Sequence, residues 1–173
     1  MIQDPTNILR YMLESDLELV RSWRNHDAIR AYMFDQQLIN SEEHLAWFDK
    51  AKRDALRELF IFEHKAVPQG FVQVKYSHAY SVAEWGFYAA PEAPAGSGTN
   101  MLRKVLQHVF AVKGSIRVYA QVLGYNLASL HLHEKLGFTC EGILRSHYYD
   151  GVRRCDVHCF GILSSEWNKP TES

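Results

Sequence analysis

The spacing of apolar residues divides the chain into short segments with either helical or strand periodicity. In Met101–Val112 the apolar residues recur every three or four positions, which predicts an amphipathic helix. In Ile116–Val122 they alternate with polar residues, which predicts a half-buried strand. The predicted elements are a strand Asn7–Leu13, a helix capped by Ser15, a helix from Ser41 to Lys52, strands Leu59–Glu63, Gly70–Ser77 and Val82–Tyr88, helix Met101–Val112, strand Ile116–Val122, a helix capped by Asn126 and ended by Gly137, and strands Gly142–Tyr149 and Val152–Leu163 joined by the hairpin signal Asp150-Gly151.

This order of elements predicts an α+β fold. Its three central strands follow one another through short turns, which indicates an antiparallel meander. A chain of 173 residues suits one domain with a single core. We therefore predict one domain over residues 1–163 and a frayed tail over residues 164–173.

Composition and charge exclude several classes of partner. The chain has 19 basic and 20 acidic residues, so it offers no broad electric field for nucleic acid or for an anionic membrane. Its first residues do not form a signal peptide, and no apolar run reaches the roughly 18 residues that a membrane span needs. We expect a cytoplasmic protein without nucleic acid or membrane partners, and the sequence leaves open whether it forms a homodimer.

The cysteine and histidine patterns do not indicate a metal site. Cys140, Cys155 and Cys159 are odd in number and lack a CxxC pair, which argues against disulfides and structural zinc. His131 and His133 are two positions apart on a predicted helix and therefore point to different faces. We predict no bound metal.

A glycine loop provides the strongest chemical signal in the chain. Gly96, Ser97 and Gly98 lie between a predicted strand and the helix Met101–Val112. The glycines expose backbone N–H groups, and the following helix adds a partial positive charge at its start. The loop therefore predicts a site for a pyrophosphate.

The loop, the element order and a second motif together resemble the GNAT superfamily of acyl-CoA N-acyltransferases. The second motif consists of Asn126 and the segment Glu134-Lys135-Leu136-Gly137-Phe138. The loop departs from the family pattern at Ala93, where a basic or amide residue is usual. The resemblance covers nearly the whole chain and implies a three-layer fold with a mixed, mostly antiparallel seven-stranded sheet and flanking helices. It also implies that acetyl-CoA enters where the fourth and fifth strands splay apart.

The resemblance implies a set of residues that bind acetyl-CoA. Tyr88 and Ala89 lie at the end of the fourth strand, along which the family pairs the pantetheine. The loop Gly96–Thr99, comprising Gly96, Ser97, Gly98 and Thr99, is expected to bind the pyrophosphate. Asn126 matches the family asparagine that binds the pantetheine or an ordered water, although it would cap its helix without any ligand.

Acetyl transfer to an amine needs a base for the amine and a proton for the leaving thiolate. Glu84 lies where many GNAT enzymes place the base, acting directly or through water, although an ion-paired surface glutamate is equally compatible with the sequence. His133 stands where the family often has the tyrosine acid, two helical turns after Asn126. If His133 is a buried spacer instead, Tyr125 or no side chain protonates the thiolate.

The amino-terminal segments Trp23–Arg30 and His44–Phe48 resemble GNAT enzymes of the pseudaminic acid pathway that acetylate UDP-linked 4-amino-4,6-dideoxy sugars. The resemblance implies that Arg24, His44, Lys75 and Tyr88 bind the nucleotide sugar. A diphosphate favours arginine or lysine, and a nucleobase favours an aromatic face. Of the other candidates, we predict that Arg30 is a charged residue on the solvent-exposed side of its helix and that Trp47 packs in the core.

The sequence thus predicts an acetyl-CoA-dependent N-acetyltransferase that acts on the 4-amino group of a nucleotide sugar. Transfer is expected to be direct, in a ternary complex, because Cys140, Cys155 and Cys159 lie outside the glycine loop and the asparagine helix. One alternative is an N-terminal protein acetyltransferase of the ribosomal-protein type. Another is a non-catalytic domain that binds CoA as a sensor.

Overall fold

The computed structural model describes residues 6–77 and 79–167. Helices and strands alternate within these ranges much as the apolar pattern predicts. In chain order the elements are β1 (Asn7–Tyr11), a 3₁₀ turn (Glu14–Asp16), α1 (Leu17–Asn25), α2 (Asp27–Arg30), α3 (Ser41–Arg53), β2 (Arg57–His64), β3 (Val67–Ser77), β4 (Val82–Ala89), α4 (Ser97–Gln107) continued by a π-helical turn (His108–Val112), β5 (Arg117–Leu123), α5 (Leu127–Lys135), β6 (Thr139–Tyr149), β7 (Arg154–Leu163) and α6 (Ser164–Trp167).

The strands of the described ranges form a seven-stranded mixed sheet in the order β1-β2-β3-β4-β5-β7-β6. Strand β4 pairs in parallel with β5, and this pairing covers Val82–Glu84 and Arg117–Tyr119, the first three residues of each strand. The pairs β1/β2, β2/β3, β5/β7 and β6/β7 are antiparallel. A parallel pair requires a crossover connection, which α4 supplies. The predicted α+β fold with a mixed seven-stranded sheet is confirmed.

The chain divides into two compact units, each with its own core. The first unit contains residues up to Lys75 together with Gly86–Val105, and the second contains Tyr76–Trp85 together with residues from Leu106 onward. In the first unit, α1 and α3 bury their apolar stripes against β2 and β3. The buried residues of this cluster are Met12, Val20, Trp23, Ile29, Phe48, Ala51, Leu59, Ile61 and Phe71.

The second unit buries the alternate positions of its strands against α5. Ala83 of β4, its β5 partner Val118 and the β7 partner of Val118, Ile162, lie on one face of the sheet and are at most 1% exposed, as alternation in a half-buried sheet requires. Helix α5 ends at Gly137, whose φ of 87° is a left-handed conformation that favours glycine. Its beginning is capped by Asn126, whose side-chain oxygen accepts the Ser129 N–H at 3.1 Å. Both helix boundaries confirm the sequence prediction.

Several predicted boundaries are wrong for local reasons. Ser15 does not cap α1, because it lies inside the 3₁₀ turn and Asp16 occupies the cap position. Helix α4 begins at Ser97, four residues before the predicted start. The hairpin between β6 and β7 has a four-residue loop instead of a two-residue turn, because the Asp150 carboxylate accepts N–H groups from Val152 and Arg153 at 2.8 Å each.

The end of the described chain continues past β7. Ser164–Trp167 form α6, and the Glu166 carboxylate accepts the Leu163 N–H at 2.8 Å. The rest of the predicted tail, residues 168–173, lies outside the described residues. Within residues 6–77 and 79–167, no helix is long and apolar enough to cross a membrane.

Candidate active site

The glycine loop of the first unit has the backbone form that an anion site needs. Gly96 has a φ of 91°, and an added Cβ would meet nothing within 4 Å, so glycine is required here for its conformation and not for space. Ser97 then starts the 11-residue helix α4. The first N–H groups of a helix have no acceptor within it, and its dipole places partial positive charge there. The residues present therefore fit a pyrophosphate.

The end of β4 packs closely against β3 and α4 within the first unit. The Ala90 N–H donates to the Gln69 carbonyl at 2.8 Å. Gly70 makes this approach possible, because an added Cβ would lie 2.7 Å from the Met101 sulfur and 3.0 Å from the Tyr88 carbonyl oxygen. The backbone at Tyr88 and Ala89, which the sequence predicts for pantetheine, is thus rigidly supported.

A row of four rings lies beside this strand end. His44 stacks on Trp47 with ring centroids 5.0 Å apart, Trp47 meets the edge of Phe71 at 6.0 Å, and Phe71 contacts Tyr88 at 5.2 Å. His44 is only 4% exposed, and burial together with the nearby Arg21 charge lowers its pKa. His44 is therefore a neutral ring at pH 7, and burial also raises the pKa of the Tyr88 hydroxyl.

Arg24 lies against the Tyr88 end of this row and is half-buried. One terminal nitrogen, Nη2, donates to the Asp35 carbonyl oxygen. The other, Nη1, is buried and has no hydrogen-bond partner in the part of the chain that the structure describes. Burial lowers the pKa of Arg24 from its ordinary value, but an arginine stays charged at pH 7. The site thus holds a positive charge with an unused donor.

Arg30 contributes a second guanidinium in the same unit. Its Nη1 donates to the Gln36 carbonyl at 3.0 Å and its Nη2 to the Asp27 carboxylate at 2.6 Å. Its Nε is buried without a partner among residues 6–77 and 79–167. The sequence suggests a solvated helix charge here, yet only 31% of the side chain is exposed. Sequence reasoning missed this residue, because helical spacing does not reveal that Ala31–Asn40 folds back over α1 and α2.

The structure does not bring every predicted acceptor residue together. Lys75 lies on β3, is exposed and is opposite Arg57 in the register of β2 and β3. The contacts that the structure describes for Arg24, His44 and Tyr88 do not include Lys75. Its predicted role in binding the nucleotide stays a prediction without structural support.

In the second unit, Glu84 lies opposite Tyr119 in the parallel register of β4 and β5. Both side chains are half-buried, and the Tyr119 hydroxyl donates a hydrogen bond to the Glu84 carboxylate. Burial and this carboxylate raise the pKa of Tyr119, which therefore remains a protonated donor at neutral pH. Sequence reasoning missed Tyr119, because nothing in the sequence fixes the register of two strands joined by a long crossover.

A second carboxylate on the same part of the sheet is already neutralised. Arg117 lies two residues before Tyr119, and its Nη1 donates to Glu141 at 2.6 Å while its Nη2 donates to the other Glu141 oxygen. Gly161 makes room for this pair, since an added Cβ would lie 2.5 Å from the Glu141 carboxylate. The bond to Arg117 lowers the pKa of Glu141. Glu84, bound by a neutral phenol, is the better placed of the two carboxylates to accept a proton.

His133 is buried in the core of the second unit and is only 1% exposed. Its Nδ1–H donates to the Ser129 carbonyl at 2.7 Å, and its Nε2 accepts the Trp85 Nε1–H at 3.1 Å. The rings of Phe138 and Phe160 pack 5.0 Å and 5.1 Å from it. Burial lowers the pKa of His133, so it is neutral with both nitrogens engaged. This arrangement does not support the predicted role as the acid, and it matches the buried spacer that the sequence left open.

Tyr125 and Asn126 lie between β5 and α5, and both are half-buried. The Arg153 guanidinium lies over the Tyr125 ring, 4.9 Å from its centroid. Asn126 caps α5 as described, so its carbonyl and side-chain oxygens serve the helix. In the described ranges, no group of three or more His, Cys, Asp or Glu side chains is arranged to hold a metal ion.

Comparisons with known proteins agree with this fold. A family model described as the acetyltransferase (GNAT) domain matches residues 7–139. The chain is 25% identical to spermidine N(1)-acetyltransferase of Vibrio cholerae over 167 residues, which covers 95% of this chain and 96% of the relative. It is also 25% identical to acetyltransferase PseH of Campylobacter jejuni over 141 residues, 82% of this chain and 88% of the relative. The solved structure of the Vibrio cholerae spermidine N-acetyltransferase with CoA and spermine superposes with a TM-score of 0.88 at 23% identity, over 96% of this chain and all of that one.

Proposed function

Because the chain belongs to the GNAT acetyltransferase family, we propose that it transfers the acetyl group of acetyl-CoA to the 4-amino group of a nucleotide-linked sugar. The favoured acceptor is UDP-4-amino-4,6-dideoxy-N-acetyl-altrosamine, as in pseudaminic acid biosynthesis. The observation that carries this choice is the half-buried Arg24, whose Nη1 has no partner among the described residues. The family-level activity, N-acetyl transfer, does not depend on this choice of acceptor.

The charge at Arg24 distinguishes a phosphate-bearing acceptor from a polyamine. A diphosphate supplies the acceptor atoms that Nη1 of Arg24 and Nε of Arg30 lack among the described residues, in short charge-assisted hydrogen bonds. An ammonium group in the same place would be repelled by about 3 kcal/mol, for unit charges ~5 Å apart at an effective dielectric constant of ~20. The site therefore favours the phosphate.

The ring row supports the nucleoside part of the acceptor. Trp47 and Tyr88 are the half-buried rings of the row and present flat, largely apolar faces, while the buried rings of His44 and Phe71 pack against them. A planar base gains from such faces through stacking and burial of apolar area. We propose that the base packs against Trp47 and Tyr88 while the phosphates bind Arg24 and Arg30.

Bound acetyl-CoA supplies the thioester that is attacked. In our proposal the Gly96–Thr99 backbone binds its pyrophosphate, the β4 backbone at Tyr88 and Ala89 binds its pantetheine, and Asn126 adds a polar contact. Glu84 takes the proton from the acceptor amine, directly or through water, so that the amine can attack. Tyr125 is the proposed donor to the leaving thiolate, since both nitrogens of His133 are engaged.

A second candidate acceptor is spermidine. It is favoured by the Vibrio cholerae spermidine N(1)-acetyltransferase, which matches more of this chain than PseH does at the same identity. In that case the cationic acceptor has to avoid Arg24 and Arg30. The single-domain organisation, the cytoplasmic location and the homodimer stay predictions.

The test is thiol release from acetyl-CoA, with mass spectrometry of the product. The acceptors are the UDP-linked 4-amino sugar, the same sugar without the nucleotide, spermidine, and a peptide with a free amino terminus. We expect acetylation of the UDP-sugar, and an increase in its KM of roughly ten- to a hundredfold in Arg24→Gln, because a charge-assisted contact contributes about 1.5–3 kcal/mol. Arg53→Gln, which removes an exposed charge at the end of α3, is the matched control.

Each alternative has its own outcome in this assay. Acetylation of spermidine alone would favour the polyamine reading, and acetylation of the peptide alone would favour a protein acetyltransferase. Binding of CoA without transfer to any acceptor would favour a sensor domain. Equal KM values for the UDP-sugar in wild type and Arg24→Gln would contradict the proposal that Arg24 binds the phosphates of the acceptor.

A further inference from the structure

In the second unit, the Tyr119 phenol of β5 bonds to the carboxylate of Glu84, its register partner on β4 and the residue to which we assign the role of base. We propose that Tyr119 is a positioning residue for Glu84. Its hydroxyl holds one carboxylate oxygen and leaves the other oriented to accept the proton of the acceptor amine. The proposal rests on the proposed role of Glu84 as base.

The backbone fixes this pair in place. Glu84 and Tyr119 are direct partners in the parallel register, so their side chains emerge on the same face of the sheet. Their neighbours Ala83 and Val118 are also partners, point to the opposite face and are completely buried. Because both strands are anchored through this buried face, the Tyr119 hydroxyl has a defined position relative to the Glu84 carboxylate.

The charges around the pair explain why the donor is a phenol. Arg117 lies on the same face as Tyr119 and influences its hydroxyl. Its guanidinium is held by both oxygens of Glu141, above Gly161. Because both oxygens of Glu141 hold this guanidinium, the hydrogen bond that orients Glu84 comes from the neutral Tyr119 phenol. The titratable groups that face this position are Tyr119 and Arg117 of β5, Glu141 of β6, Cys159 of β7 and Glu166 of α6.

Removing the hydroxyl has a consequence that a merely structural residue would not produce. The Glu84 carboxylate loses its fixed orientation, so kcat falls while the KM values for both substrates change little. This effect requires Glu84 and disappears when Glu84 is replaced.

The experiment compares Tyr119→Phe with Tyr149→Phe, which removes an exposed phenol that donates to the Gly151 carbonyl outside the proposed site. Rates are measured over a range of concentrations of acetyl-CoA and of the best acceptor of the wild-type enzyme, and are normalised to CoA-binding sites, so a loss of folded protein does not count. We expect Tyr119→Phe to lower kcat about tenfold while both KM values stay within a few-fold of wild type. Tyr149→Phe should match wild type.

Glu84→Gln, alone and combined with Tyr119→Phe, distinguishes the role of Glu84 as base from the role of Tyr119 in positioning it. If Tyr119→Phe lowers kcat about tenfold in the presence of Glu84, and adds no further loss in the Glu84→Gln background, the positioning role is supported. If Glu84→Gln is inactive but Tyr119→Phe behaves like Tyr149→Phe, the positioning role is wrong and the base assignment stands. If Glu84→Gln keeps wild-type turnover, the base assignment and the positioning role fall together, whichever acceptor is used.

Discussion

Replacement of His133 by phenylalanine tests whether this residue belongs to the core or to the chemistry. The buried neutral ring satisfies the Trp85 Nε1–H and the Ser129 carbonyl. Phenylalanine fits among Phe138 and Phe160 but cannot accept the Trp85 Nε1–H, and loss of a buried hydrogen bond costs about 1–3 kcal/mol. We therefore expect His133→Phe to lower the free energy of unfolding by about 1–3 kcal/mol.

The same replacement changes how stability depends on pH. The pKa of His133 is lowered in the folded state, so the unfolded chain binds a proton that the folded chain does not. Stability is thus fully present above the unfolded pKa of about 6.5 and falls as the pH drops below it. The loss cannot exceed about 1.4 kcal/mol for each pH unit, the limit for one proton. His44, whose pKa is lowered as well, adds a loss in the same direction that stays in the variant.

Urea unfolding at pH 7.5, 6.5 and 5.5 measures both effects, and kcat at pH 7.5 measures the chemistry. His133→Phe should be less stable than wild type at pH 7.5 and should lose less stability than wild type between pH 6.5 and 5.5. Its folded fraction should keep kcat within a few-fold. His131→Phe, exposed on the same helix, is the control. A hundredfold loss of kcat with unchanged stability would refute this reasoning and restore His133 as the acid.

Three further substitutions test the scaffold around the site. Gly96→Ala should raise the Kd for CoA in calorimetry, because a left-handed conformation at an L-residue costs about 1–2 kcal/mol. An unchanged Kd would contradict the proposal that the Gly96–Thr99 backbone binds the pyrophosphate. Gly70→Ala should lower Tm by several degrees, because the added Cβ meets the Tyr88 carbonyl oxygen at 3.0 Å and cores resist overpacking by about 1–3 kcal/mol. Asp16→Asn should make stability depend less on acid pH. The Arg10 hydrogen bond lowers the pKa of Asp16, so the stability that this bond adds is present at neutral pH and is lost on acidification. Equal acid unfolding curves for the variant and wild type would contradict this prediction.

The parts of the fold that depend on local signals were predictable. Apolar spacing located the strands and helices, Asn126 and Gly137 marked the two ends of α5, and the glycine loop preceded α4. These features arise from residues within a few positions of one another. The hairpin loop differs because the Asp150 carboxylate competes for the N–H groups of the turn, which is also a local effect but one that the Asp-Gly signal alone does not convey.

The parts of the site that depend on distant partners were not predictable. His133 is 48 positions from Trp85, and the hydrogen bond between them decides that this histidine is a core residue. The pairing of Glu84 with Tyr119 depends on the register of two parallel strands. The burial of Arg30 depends on a loop that folds back over α2. Helical or strand spacing gives the face on which a side chain lies, but not what meets it there.

The proposed acceptor is tested most directly by a competition in one reaction between the UDP-linked 4-amino sugar and spermidine for acetyl-CoA. Products are counted by mass spectrometry for wild type and for Arg24→Gln. We expect acetylated UDP-sugar to be the main product of the wild-type enzyme, and we expect this preference over spermidine to be smaller in Arg24→Gln. Acetylspermidine as the main product of both proteins would contradict the proposal that the half-buried Arg24 selects an acceptor that carries phosphate.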